Sequence, residues 1–198
     1  MVDRFSLNSR RALAATEREA RSLKHGHVAT EHLLLGLLRT EDSVAARALR
    51  LMGVTYAKAR RHIVRLVDVG SERPAGAVSF TPRVREIIED ALTGSLWLVR
   101  LGESLVGPAF EPSPMTPLGT PVPAAAPRFG HGRVEVRTED LLLALIAHGE
   151  GVAVHVLSEL GVDIERAAVS CLNVRFPRPQ EWTFQAAAEW PPSSPKRN

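Results

Sequence analysis

Residues 30–38 read TEHLLLGLL, and the pattern returns at residues 138–146 as TEDLLLALI, identical at six of nine positions. Carried onward, residues 30–54 match residues 138–162 at eleven of twenty-five positions, with Val44 against Val152, Leu49 against Leu157 and Gly53 against Gly161. The chain is therefore internally duplicated, and each copy is a structural unit to be read against the other. A Thr-Glu pair ahead of an apolar run also marks a helix start. Thr30 and Thr138 are expected to accept from the first free backbone amides, and Glu31 and Glu139 to sit against the positive end of the helix dipole.

Outward from this stretch, helical periodicity predicts four helices in the first copy. The first runs over about 7–24, capped by Ser6, with Leu13, Thr16, Ala20 and Leu23 on one stripe. The others run over about 31–39, 44–52 and 56–69, with Gly53 ending the third in the left-handed conformation. Residues 70–79, with Gly70, Pro74 and Gly76, read as a linker. Phe80, Thr81 and Pro82 then restate Phe5, Ser6 and Leu7 and open a second copy of the first helix, to about residue 101. The copies diverge here: Phe5 and Thr30 are 25 positions apart, Phe80 and Thr138 are 58. The extra 33 residues fall in 102–137, which holds seven of the fourteen prolines and reads as a disordered insert. Helices resume at about 152–160 and 164–174. The expectation is all-α: two tandem pseudo-symmetric four-helix repeats (about 4–69 and 80–174) in one domain, 1–176, then a Pro-rich tail at 177–198 holding Trp182, Phe184 and Trp190.

Composition narrows the function. Of the residues 44% are hydrophobic, enough for a core, and no apolar run reaches the roughly 20 residues a membrane-crossing helix needs. MVDRFSLNSR carries no apolar signal segment, so a cytoplasmic location is expected. The single cysteine, Cys171, excludes an intramolecular disulfide and sits among apolar residues, as an inert buried thiol would. A net charge of +3 with arginines and acids interleaved argues against a nucleic-acid partner, and only Arg60, Arg61 and Arg65 approach a basic stripe. His25, His27 and His32 straddle a turn and a helix start without an accompanying ligand pattern, so no metal is expected, and no nucleophile motif or phosphate loop signals catalysis or a cofactor.

Together, Arg4-Phe5, the segment GHVATEHLLLGLL (26–38), FTPR (80–83), the second TE-LLL-L segment and the paired Gly53 and Gly161 resemble the Clp N-terminal domain. That domain is the paired four-helix repeat that precedes the ATPase modules of ClpC and ClpA unfoldases, and the pattern is similar to actinobacterial ClpC-type domains. The second repeat departs from it: Asp140 stands for the usual His, Ala144 for the usual Gly, and the insert interrupts a short turn. The resemblance implies a non-enzymatic recognition domain without a motor.

It also implies sites. Two phosphoarginine pockets would fall on Ser6 with Glu31 and on Thr81 with Glu139, a carboxylate for the guanidinium and a hydroxyl with free amides for the phosphoryl group. The competing reading makes all four residues helix caps and dipole partners. A cyclic-peptide site would fall on Ala14, Phe80, Arg85 and Glu89, with Val2 and Ala77 departing from the usual aromatic and His. Against it, Phe80 reads as a core staple and Arg85 with Glu89 as an exposed pair. The implied partners are phosphoarginine-marked or unfolded proteins, cyclic peptides and Clp unfoldase-protease components. The chain would serve as an accessory or sequestering decoy for the Clp machine, or as an adaptor docking through its tail and insert.

Overall fold

The computed structural model describes residues 4–93, 112–113, 122–123 and 135–162, with the single positions 167 and 171. The first repeat holds α1 (Leu7–Ser22), α2 (Thr30–Arg39), α3 (Val44–Leu51) and α4 (Tyr56–Leu66); the second holds α5 (Pro82–Thr93), α6 (Thr138–His148) and α7 (Val152–Glu159). Ala167 and Cys171 are helical and fully buried, at the register expected for an eighth helix. The rest of that helix, residues 94–101 and the 177–198 tail lie outside the described residues.

The fold is all-α, with four two-residue strands that helical periodicity did not show. β1 (His27–Val28) pairs in parallel with β2 (Ser79–Phe80). In the insert, β3 (Pro112–Ser113) pairs antiparallel with β4 (Val122–Pro123); the rest of 102–134 lies outside the described residues. α4 stops at Leu66, short of the expected residue 69.

The repeated stretch forms the two central helices. All residues of α2 from Thr30 to Leu38 are buried, and so is α6 from Thr138 to Ala147. A helix apolar on every side belongs in a core. Leu33, Leu34, Leu35 and Leu37 are fully enclosed in one, and Leu141, Leu142, Leu143 and Leu145 in the other. α1 covers α2, and α5 covers α6. Register relates the covers as well. Ser9, Ala12 and Thr16 are among the buried positions of α1, and their counterparts 75 residues later, Val84, Ile87 and Ala91, are buried in α5.

The repeats interlock. α2 and α4 pack on α7, α3 packs on α6, and one continuous hydrophobic core spans both halves. The lead-in strands are exchanged: Ser6 N donates to Val136 O (2.9 Å), joining the start of α1 to the start of α6, and Thr81 N donates to Val28 O (2.9 Å), joining α5 to α2. Among the described residues no single helix is long and apolar enough to cross a membrane.

Candidate peptide groove and the paired helix starts

α1 and α5 lie beside each other and leave a groove of about 520 Å³ between them. Arg10, Leu13, Ala14 and Glu17 enter from α1 at helical spacing, and Arg85, Ile88 and Glu89 from α5. Phe5 and Phe80 close it from the lead-ins of the two helices. Four lining pairs are related by the duplication, 75 positions apart: Phe5 with Phe80, Arg10 with Arg85 and Leu13 with Ile88 keep their residue type, while Ala14 stands against Glu89. The groove is therefore where the two repeats bring the same face together.

All four positions expected to form a cyclic-peptide site, Ala14, Phe80, Arg85 and Glu89, line this one cavity. Phe80 is half-buried and packs against the core, as the staple reading expects, and it also lines the cavity. The expectation of a pair between Arg85 and Glu89 does not hold: among the described residues neither makes an ion pair, nor do Arg10 and Glu17. All four are exposed. Two cations and two anions thus rim an apolar floor with their charges open to a guest. Ala77 is exposed outside the cavity lining, and Val2 lies outside the described residues. Of the further lining residues, Phe5 and Arg10 were recoverable from the repeat register as counterparts of Phe80 and Arg85; Leu13, Glu17 and Ile88 were not, because their place in the groove depends on how α1 and α5 meet.

The other expected site is arranged differently. Ser6 Oγ accepts from Ser9 N (3.1 Å) and Thr81 Oγ1 from Val84 N (3.4 Å), so both hydroxyls are helix caps. Strand exchange sets Ser6 against the repeat that holds Glu139, and Thr81 against the one that holds Glu31. The two carboxylates, expected at open helix ends, are covered: Glu31 is 6% exposed and Glu139 1%. Burial raises the Glu31 pKa, the largest of the influences on it. Thr30 and Thr138 hydrogen-bond these carboxylates and are not caps of their own helices, since Ala29 and Arg137 hold the N-cap positions. Their hydroxyls instead cross the interface. Thr30 Oγ1 accepts from Ala153 N at the start of α7 (3.4 Å), and Thr138 Oγ1 accepts from Ala45 N at the start of α3 (3.5 Å).

The third residue of each central helix reaches back to the N-cap amide. Ala29 N donates to His32 Nδ1 and Arg137 N to Asp140 Oδ2 (2.9 and 2.8 Å), so the His-to-Asp departure conserves the job. At His32 this fixes a chain of tautomers. Nδ1 is an acceptor, so Nε2 carries the proton and donates to His25 Nδ1 (2.9 Å), whose own Nε2–H donates to the Asp68 carbonyl (2.8 Å). His25, Glu31 and His32 bring donor atoms within 4.8 Å of one another, close enough to ask about a cation. A metal on His32 Nε2 would force the proton onto Nδ1, against the Ala29 N–H. These imidazoles fit a cap relay and not a metal site. Cys171 is buried, its thiol pushed up to about 12 chiefly by burial, and is no nucleophile.

Comparison with known proteins follows the same lines. Residues 4–95 match the Clp repeat (R) N-terminal domain. The chain is 31% identical over 174 residues to the chaperone protein ClpB of Oceanobacillus iheyensis, and equally to the negative regulator of genetic competence ClpC/MecB of Bacillus subtilis. Each match covers 88% of this chain and 17% of the relative, so the chain spans about a sixth of the length of these proteins. The crystal structure of the N-terminal domain of the chaperone ClpD from Arabidopsis thaliana superposes with a TM-score of 0.58 at 19% identity, covering 87% of this chain and 95% of that one.

Proposed function

We propose that this chain, a member of the Clp N-terminal domain family, binds segments of other proteins, and peptides that mimic them, in the groove between α1 and α5, without catalysing a reaction on them. The observation that carries this reading is the groove: two phenylalanines on an apolar floor, rimmed by Arg10, Glu17, Arg85 and Glu89, none of them in an ion pair among the described residues. Such a rim can orient a backbone or a polar side chain while the floor takes an apolar one. By holding segments that a Clp unfoldase also takes, the domain would lower their free concentration, which is the accessory or decoy role.

Calorimetry tests it, with an apolar linear peptide and with a cyclic peptide. Binding to both is expected, weakened by about 1–3 kcal/mol in Phe80→Ala, the cost of removing a buried aromatic anchor, and by less in Arg85→Ala. No heat from either peptide, or full affinity in Phe80→Ala, would sink the groove reading. Phosphoarginine capture at Ser6, Glu31, Thr81 and Glu139 would need both carboxylates uncovered, so free phosphoarginine in the same calorimeter should bind more weakly than the peptides. Glu31→Ala and Glu139→Ala tell a guest-binding carboxylate from one that only serves the helix start.

A further inference from the structure

α4 carries a second surface, on the side of the first repeat formed by its own outer face. From residue 43 to residue 67 the chain has no Asp or Glu but holds Arg47, Arg50, Lys58, Arg60, Arg61 and Arg65. This is the longest acid-free run in the chain and the richest in Lys and Arg. On α4 it resolves into one stripe: Ala57, Arg60, Arg61, Val64 and Arg65 recur at i, i+3, i+4, i+7 and i+8, and with Tyr56 they line a shallow cavity of about 570 Å³. Val64 is 38% exposed and the adjoining Leu66 41%. Among the described residues none of the three arginines has a hydrogen-bond or ion-pair partner. The nearby acids are taken: Glu19 binds Tyr56 and Arg39, and Glu159 meets His62 and His155.

The duplication shows that the fold does not require these charges. Set against the second repeat 108 positions later, Ala59 meets Ala167 and Ile63 meets Cys171, all four fully buried, so the core side of this helix is kept. At the three arginine positions the aligned sequence has Ala168 for Arg60, Val169 for Arg61 and Asn173 for Arg65. The arginines are thus not repeated along with the buried positions, which separates them from the demands of folding.

We propose that this face of α4 is a docking surface for an acidic protein segment with apolar anchors, separate from the α1–α5 groove. Val64 and Leu66 offer apolar contact, and three free guanidiniums flank it, so the complementary chemistry is Leu or Phe between Asp and Glu. A nucleic acid fits less well. Tyr56, the only aromatic on the face, has its hydroxyl on Glu19 at 3.0 Å and Arg39 stacked 5.1 Å over its ring, leaving no free platform for a base.

Fluorescence anisotropy with the full chain tests this, using a labelled helical peptide with leucines at i, i+3, i+4 and i+7 and glutamates on the flanks. The controls are its lysine-for-glutamate counterpart and a single-stranded oligonucleotide of equal charge. The glutamate peptide should bind, weaken with added salt, and outbind both controls. Arg60→Ala/Arg61→Ala/Arg65→Asn, which leaves Ala59 and Ile63 in place, should lower its affinity at least tenfold with the circular dichroism melt unchanged, while Phe80→Ala should bind it like the parent. Equal binding of the lysine peptide, tighter binding of the oligonucleotide, or unchanged affinity in the triple variant overturns the proposal.

Discussion

At the scale of single residues, His32 shows how a cap imposes a protonation state. Buried and hydrogen-bonded through both ring nitrogens, it is held neutral, its pKa drawn from 6.5 down to about 4, first by burial and then by repulsion from His25. A base whose folded pKa is depressed binds fewer protons folded than unfolded, so stability is full above the unfolded pKa and falls as pH drops from 6.5 towards 4. Glu31 runs the other way, since an acid with a raised folded pKa loses stability as pH rises through its titration. His32→Asn keeps a neutral acceptor for the Ala29 amide and removes the titration. Thermal melts between pH 7 and 4.5 should therefore show the parent losing roughly 1–3 kcal/mol more than the variant. Parallel pH profiles would mean that His32 titrates alike in the folded and unfolded states. Little of this was legible in the sequence. The histidines were visible, but their roles depend on Ala29 N and Asp68 O, backbone atoms that no residue pattern marks.

Among the helices, α1 and α2 approach closely at Gly36. A Cβ on Gly36 would come within 2.2 Å of Thr16 Oγ1 and 2.6 Å of the Ala12 carbonyl, so only glycine lets the two backbones meet. The second repeat solves the same crossing differently. Ala144 takes the place of Gly36 while Ala91 takes that of Thr16, so the added methyl is matched by a lost hydroxyl. Gly36→Ala should cost roughly 1–3 kcal/mol in urea unfolding despite its better helix propensity. Adding Thr16→Ala should restore part of that, leaving the clash with the Ala12 carbonyl; full recovery would place the whole conflict in the Thr16 side chain. Ala144 is visible in the sequence as a departure but its compensation is not, because Thr16 and Gly36 are neighbours only once α1 lies on α2. The helices themselves are legible, since the buried stripes of α1, α2, α5 and α6 carry their periodicity in the residues. The four groove positions follow only from resemblance, and the cover over Glu31 and Glu139 is not legible, because a chain written in one dimension does not show which segments close over a helix start.

For the whole molecule, the decisive feature is exchange. Each repeat supplies the other with a lead-in hydrogen bond, Ser6 N to Val136 O and Thr81 N to Val28 O, and with a hydroxyl acceptor at a helix start, Thr138 for α3 and Thr30 for α7. The core shows no seam, for Leu37 and Leu145 belong to one cluster. A lone repeat would expose the apolar surface of α2 or α6 and leave polar groups at two helix starts unsatisfied, each such loss costing about 1 kcal/mol or more. Residues 4–69 alone should therefore fail to give a cooperative melt, although four complete helices are encoded there. The full chain should unfold in one transition, with far-UV circular dichroism and hydrogen exchange at α2 and α6 reporting the same free energy. A folded, cooperatively melting first repeat would show that the exchange is dispensable. It would also free the groove from its dependence on both halves, because Arg10 and Leu13 could then be in place without Arg85 and Ile88. Conversely, Thr30→Val and Thr138→Val should each lower the single transition by about 1 kcal/mol without splitting it, since each removes a contact from the opposite repeat.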